Sequence, residues 1–204
     1  MTLLNVYGIA DAAPAADLRG ALGEAVRAVP CGGLFVLAGD VKSAPPLSAD
    51  SLRAHDAAVR RLAQACAALL PVRFGAAVES IDLSDRADEL LEALETVRGR
   101  EQMTLRVYAE ARAPERTSGT AYLESLRRAR AVPEIDPLRS ALAALIRAER
   151  TEPHGESLVA SVYHLIDRGR SGDYLRTLAD VPLEVRVSAS GPWPAWSFAP
   201  EAVR

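Results

Sequence analysis

The chain has 204 residues, 49% hydrophobic and 25% charged, with a formal net charge of −3 and a pI near 5.7. That length suits one large domain or two small ones with a real core, and the acidic balance argues against a protein that grips a nucleic-acid backbone. Cys31 and Cys66 sit in no metal-binding pattern, so a reduced, cytoplasmic setting is expected, with neither a secretory leader nor a membrane-spanning helix.

Residues 3–9 alternate as a strand, with Leu4 and Val6 on one face and Leu3, Asn5 and Tyr7 on the other. Residues 11–16 read as a small-residue loop and 18–22 as a helical turn. Residues 26–29 and 34–38 read as two strands. Between them Pro30-Cys31-Gly32-Gly33 is a hairpin signal, since glycine reaches positive φ cheaply. After Pro45-Pro46 an apolar seam of Leu52, His55, Val59, Leu62, Cys66 and Leu69 predicts a helix, capped by Ser48 or Asp50 and stopped at Pro71. His55 lies on that seam and reads as a core-edge histidine with a local hydrogen bond.

Residues 72–78 alternate as a strand, with Val72, Phe74, Ala76 and Val78 facing one way and Arg73, Gly75, Ala77 and Glu79 the other. Arg73, among apolar neighbours, either pairs with a carboxylate of its own chain or binds an acidic group. A helix is predicted over 82–98, with Leu83, Ala87, Leu90, Leu91, Leu94 and Val97 as its buried stripe and Gly99 as its stop. Residues 103–109 alternate as a strand. This mixed order predicts an α+β fold rather than a doubly wound parallel sheet.

The charged stretch 111–117, with Pro114, reads as a linker between subdomains 1–110 and 118–204. Ser118-Gly119 opens a helix through Tyr122, Leu123 and Leu126, and Arg127, Arg128 and Arg130 read as its solvated face. Asp136-Pro137 pairs an N-cap with an N1 proline and launches a helix carrying Leu138, Leu142, Leu145 and Ile146. Residues 151–156 read as a turn, 158–166 as a strand and 174–178 as part of a short helix. Leu183, Val185 and Val187 alternate in a last strand. It runs into Gly191-Pro192-Trp193-Pro194-Ala195-Trp196-Ser197-Phe198, which holds both tryptophans of the chain. Two prolines stiffen this strap. Its rings either anchor the tail on its own domain or meet a partner.

The three histidines, His55, His154 and His164, form neither an HExxH pair nor a Cys/His cluster, and no phosphate loop or GxSxG elbow occurs. No catalytic, cofactor or metal site is read. A small-molecule-binding enzyme or sensor on a ferredoxin-like scaffold is the alternative, and it needs His55, Arg73 and Tyr108 to converge in a pocket.

Five segments resemble the gas vesicle GvpF/GvpL family, in the right order over nearly the whole chain. They are Leu4-Asn5-Val6-Tyr7-Gly8-Ile9, then His55 followed by Leu70-Pro71-Val72-Arg73-Phe74-Gly75. Leu105-Arg106-Val107-Tyr108, Ser118-Gly119-Thr120-Ala121-Tyr122-Leu123 and Gly191-Pro192-Trp193-Pro194-Ala195-Trp196-Ser197-Phe198 complete the set. The resemblance implies two α+β subdomains, the first ferredoxin-like. It implies a non-enzymatic accessory role in gas vesicle assembly, with association to the vesicle. The implied partners are the small hydrophobic, GvpA-like shell protein and other gas vesicle accessory proteins, with no nucleic acid and no membrane span. Arg73, Phe74, Gly75, Gly191, Pro192, Trp193, Pro194, Trp196 and Phe198 carry the most specific matches and are the candidate contact residues.

Overall fold

The glycine turn anticipated after residue 29 sets up the first sheet. In the computed structural model, which describes residues 2–15, 17–108, 131–155 and 157–201, Gly32 and Gly33 take φ of 58° and 83°. They close an antiparallel hairpin of β3 (Ala25–Cys31) and β4 (Leu34–Val41). β4 pairs with β1 (Leu3–Ala10), and β2 (Leu18–Arg19) pairs with β3, both antiparallel. Residues 18–22 are therefore an edge strand and turn rather than the expected helical turn. Leu18 lies opposite Val26, and both pack on the first core. β5 (Leu69–Pro71) and β6 (Ala77–Val78) run antiparallel along the other side of β1, giving the order β2-β3-β4-β1-β5 with β6 also on β1.

Helix α1 (Ala49–Ala65) starts where the sequence places it, with the Ser48 hydroxyl accepting the Ser51 amide at 3.1 Å. It buries His55, Ala58, Val59 and Leu62 against Tyr7, Ala10 and Leu37. It ends at Ala65 rather than at Pro71, because Cys66 turns extended and Leu69 enters β5. The apolar spacing continued past the helix because Cys66 and Leu69 are needed in the same core from non-helical backbone.

β1 carries the detail on which the site depends. Its pairing with β4 slips between Val6 and Gly8. A β-bulge of this kind breaks the period of two. Tyr7 and Ala10 accordingly pack together beside α1, while Val6 and Ile9 both line a separate apolar cavity. The Tyr7 hydroxyl donates to Glu24 and accepts from the Ala21 amide at 2.7 Å and Asn5 Nδ2 at 2.8 Å. Burial and the Glu24 carboxylate push the Tyr7 hydroxyl well above the usual phenol range, so it keeps its proton.

A 3₁₀ turn (Ser84–Arg86) leads into α2 (Ala87–Val97), which buries Leu90, Leu94 and Val97 but leaves Leu91 43% exposed. The helix starts later than residue 82: Asp82 closes a local turn, accepting from the Ser84 amide at 3.0 Å and hydroxyl at 2.7 Å, and the 3₁₀ turn follows it.

By contacts the chain divides into two units, Met1–Arg100 with Trp193–Arg204, and Glu101–Pro192. The sequence reading had grouped the tail with residues 118–192. In the first unit Pro194, Ala195, Phe198 and Ala199 are buried and Trp196 packs on the Tyr7–Leu62 core. The Arg60 guanidinium, paired with Asp56 at 2.7 Å, lies 4.1 Å from the Trp193 ring centre. The linker at 111–117, the helix opening at Ser118-Gly119 and Arg127, Arg128 and Arg130 lie outside the described residues.

The second unit has a sheet of order β10-β7-β9-β8, formed by β7 (Arg100–Tyr108), β8 (Ile146–Pro153), β9 (Leu158–Asp167) and β10 (Arg186–Trp193). Helices α3 (Asp136–Leu142) and α4 (Ser171–Asp180) supply Leu138, Leu142 and Tyr174 to its core. β8 replaces both the expected helix end at Ile146 and the expected turn at 151–156. It is an edge strand in which Arg147, Glu149, Arg150 and Glu152 are charged, a composition that mimics a loop.

A polar relay crosses this unit. His164 Nε2 donates to Glu149 Oε2 at 2.8 Å, and Nδ1 lies 2.7 Å from the Tyr174 hydroxyl. Arg139 grips the same Glu149 at 2.9 Å and also Asp136 at 2.7 Å. Burial alone would raise the Glu149 carboxyl, but the bonds from His164 and Arg139 more than reverse this and hold it at about 2.

Two outcomes follow from this packing. Phe198→Ala should lower unfolding stability by about 3–5 kcal/mol in urea, as for a buried aromatic, whereas half-buried Trp193→Ala should cost roughly 1–3 kcal/mol. Glu149 titrates lower when folded than unfolded, so its contribution is present above about pH 4.5 and fades as the pH falls toward 2. With partial exposure allowed for, the loss should be about 1–2 kcal/mol and should shrink in Arg139→Ala, as read from acid unfolding.

Candidate functional site

Pro71 ends β5 because it has no N–H to continue the ladder. The chain then leaves the sheet edge. Val72 N donates to Tyr7 O at 3.0 Å, and Ala76 O accepts from Val6 N at 2.8 Å. Between those two bonds, residues 73–75 form a small loop turned by Gly75 at φ 97°. The strand expected over 72–78 is thus two short strands with a loop between them. Proline and a left-handed glycine defeat the alternation.

His55 holds this loop from α1. Its Nε2 lies 2.9 Å from the Val72 carbonyl, which only accepts, so Nε2 carries the proton. The imidazole stacks on Tyr7 (5.2 Å between centres, 25°) and meets Phe74 edge-on (5.6 Å, 88°). It is 3% exposed, and Nδ1 is buried with no hydrogen-bond partner among the described residues. Burial pulls the His55 pKa below its ordinary value against the opposing pull of the Val72 carbonyl and Asp56.

Behind the loop lies a cavity of about 430 Å³. Val6 and Ile9 from β1, Val36 from β4, and Val72, Phe74 and Val78 from the loop and β6 make its apolar wall. Residues 80–83 close another side with Ser80, Ile81, Asp82 and Leu83, and Arg73 stands at the lining. Asp82 is exposed, and its carboxyl is held below the usual range by the Ser84 amide and hydroxyl, so it is anionic but already engaged. Arg73 is exposed and makes no ion pair among the described residues. Its first-unit neighbours in sequence type differ: Arg27, Arg53, Arg60, Arg86 and Arg98 each reach a carboxylate.

Of the candidate contact residues, Arg73 and Phe74 line this cavity, and Gly75 turns the loop that carries them. The strap residues do not line it. Gly191 and Pro192 end the second unit, joined by a cis peptide bond. Trp193, Pro194, Trp196 and Phe198 belong to the first unit, where Pro194 and Phe198 are buried and Trp196 packs on the core. The small-molecule reading asked for an accessible His55, and none is present: the ring is sealed between Tyr7 and Phe74. Tyr108 lies in the second unit under the Arg186 guanidinium, 4.1 Å from its ring centre. Among the described residues no group of His, Cys, Asp or Glu has metal-site geometry, and no helix is long and apolar enough to cross a membrane.

Sequence reasoning missed the contributions of Val6, Ile9, Val36 and residues 80–83 to the cavity. It also missed the His164 relay, whose one signal was a histidine inside the apolar run of residues 158–166.

The family model for gas vesicle synthesis protein GvpL/GvpF matches residues 3–200. The chain belongs to this family. Its fold is similar to that of gas vesicle protein GvpF from Microcystis aeruginosa, with a TM-score of 0.74 at 15% identity over 97% of this chain and 99% of that one. It is also similar to GvpF from Anabaena sp. PCC7120, with a TM-score of 0.71 at 16% identity over 98% of this chain and 97% of the other. No curated protein matches the chain. As a GvpL/GvpF member it has the expected mixed α+β fold, here with two sheets, and its Leu70-Pro71-Val72-Arg73-Phe74-Gly75 segment supplies Val72, Arg73 and Phe74 to the cavity lining.

The buried imidazole has a pH signature. Because folded His55 titrates below its ordinary value of 6.5, the unfolded chain takes the proton first. Its contribution is complete above about pH 6.5 and is lost as the pH falls from there toward the folded value. Urea unfolding should therefore show wild type losing more stability between about pH 7 and 5 than His55→Gln does. Equal slopes would mean that the ring is protonated or exposed in the fold.

Proposed function

We propose that this chain is a non-enzymatic accessory protein of gas vesicle assembly that binds the small hydrophobic shell protein during nucleation or growth. Membership of a gas vesicle synthesis family supports the process. The observation that carries the binding role is the apolar cavity walled by Val72, Phe74 and Val78 beside Arg73, which makes no ion pair among the described residues. Its volume of about 430 Å³ is in the size class of ligand pockets, about 300–1,000 Å³.

The physical task is plain. A shell subunit exposes apolar surface until it is incorporated, and such surface aggregates unless covered. A preformed apolar cavity covers part of it without paying to order a flexible loop. On this reading Arg73, Phe74 and Gly75 are the contact segment, and the strap residues Trp193, Pro194, Trp196 and Phe198 act by holding the first unit together. The partners are the GvpA-like shell protein and other gas vesicle accessory proteins, and the complex is associated with the vesicle.

Co-expression of the tagged chain with the shell protein should recover the shell protein on affinity capture. Val78→Asp, at a site already 37% exposed, should reduce recovery roughly tenfold without moving Tm. Absence of the shell protein from the captured material in every order of expression would overturn the role.

A further inference from the structure

We propose that Arg73 recognises a side-chain carboxylate on an amphipathic helix of the shell partner, whose neighbouring apolar side chains enter the cavity behind Phe74. This rests on the shell-binding role above and specifies its chemistry. Three observations carry it.

The first is the isolation of the cation. Arg73 is exposed at the cavity lining with no ion pair among the described residues. The nearest acid in the lining, Asp82, already accepts two hydrogen bonds from Ser84. A guanidinium at the rim of an apolar site favours a carboxylate, which it can grip with two parallel bonds.

The second is the balance of the site. Val6, Ile9, Val36, Val72, Phe74 and Val78 offer carbon to the occupant, while Arg73 offers guanidinium donors that no described residue takes up in an ion pair. The matching ligand therefore has one anionic group next to several apolar ones. Along a helix such groups share a face at spacings of three and four.

The third concerns the backbone. An added strand needs a continuous row of free N–H and C=O groups. Here β5 has three residues and β6 two, with the 73–75 loop between them. Pro71 also lacks an N–H. That edge cannot accept a long strand, so the partner enters by its side chains. A helix laid into the cavity does this; the sheet-edge route is blunted.

The test uses the full chain co-expressed with the shell protein, comparing wild type, Arg73→Lys and Arg73→Glu. Each is checked for an unchanged Tm, since the side chain is exposed. Arg73→Glu should lower captured shell protein about tenfold or more at low salt, and Arg73→Lys should lower it about threefold or less. Recovery by wild type should fall as salt rises from about 0.05 to 0.5 M. Changing the acidic residues of the shell protein one at a time to their amides should reproduce the Arg73→Glu loss at one position. Wild-type capture that Arg73→Glu leaves intact, or that no single amide change weakens, overturns this inference while the shell-binding role stands. Loss only on removal of the shell protein's terminal carboxylate would also overturn it. Absence of capture by wild type itself overturns both.

Discussion

A single buried imidazole ties together the parts of the first unit that make the cavity. His55 comes from α1, stacks on Tyr7 of β1, meets the edge of Phe74 and donates to the carbonyl of Val72. That carbonyl belongs to the residue at which the chain leaves the sheet after Pro71. Left without a donor in this dry environment, it would cost about 1–3 kcal/mol. The arrangement has its own cost, since Nδ1 is buried with no hydrogen-bond partner among the described residues. It persists because the ring also fills space between two aromatics, where stacked and edge-on contacts each contribute about 0.5–1.5 kcal/mol beyond burial.

The β1 bulge is the second half of that constraint. By slipping one residue at Tyr7, the strand sends Tyr7 to the helix and still turns both Val6 and Ile9 to the cavity. An unbroken strand would put Tyr7 and Ile9 on one face. The signature segment and the first strand are therefore one device. The loop supplies Val72 and Phe74, and the bulge supplies the floor on which they close.

The two units use their charges differently. In the second unit the ionisable groups are spent inward: Arg139, Glu149, His164 and Tyr174 join α3, β8, β9 and α4 in one relay. Burial and the Glu149 charge keep the Tyr174 hydroxyl protonated, and the relay closes around one carboxylate rather than forming an open site. In the first unit Arg27, Arg53, Arg60, Arg86 and Arg98 reach carboxylates, and Arg19, Arg61 and Arg100 reach backbone carbonyls. Arg73 instead stands beside carbon at the cavity, with no ion pair among the described residues.

The sequence by itself determined the α+β class, the start of α1 with Ser48 or Asp50 as its cap, the Gly32-Gly33 hairpin, the core character of His55 and the five family segments. Each rests on local chemistry: spacing of apolar residues, a capping hydroxyl, or a glycine at positive φ. It could not place the strand break at residues 73–75, since Val72-Arg73-Phe74-Gly75-Ala76 alternates as well as any strand. It could not see β8, whose many charges suit an edge strand, nor where the tail packs. Only the tertiary structure decided those points. The bulge at Tyr7, the donor from His55 to Val72 and the packing of Phe198 into the first unit are contacts between residues far apart in the chain, and no local pattern encodes which distant surface a side chain will meet.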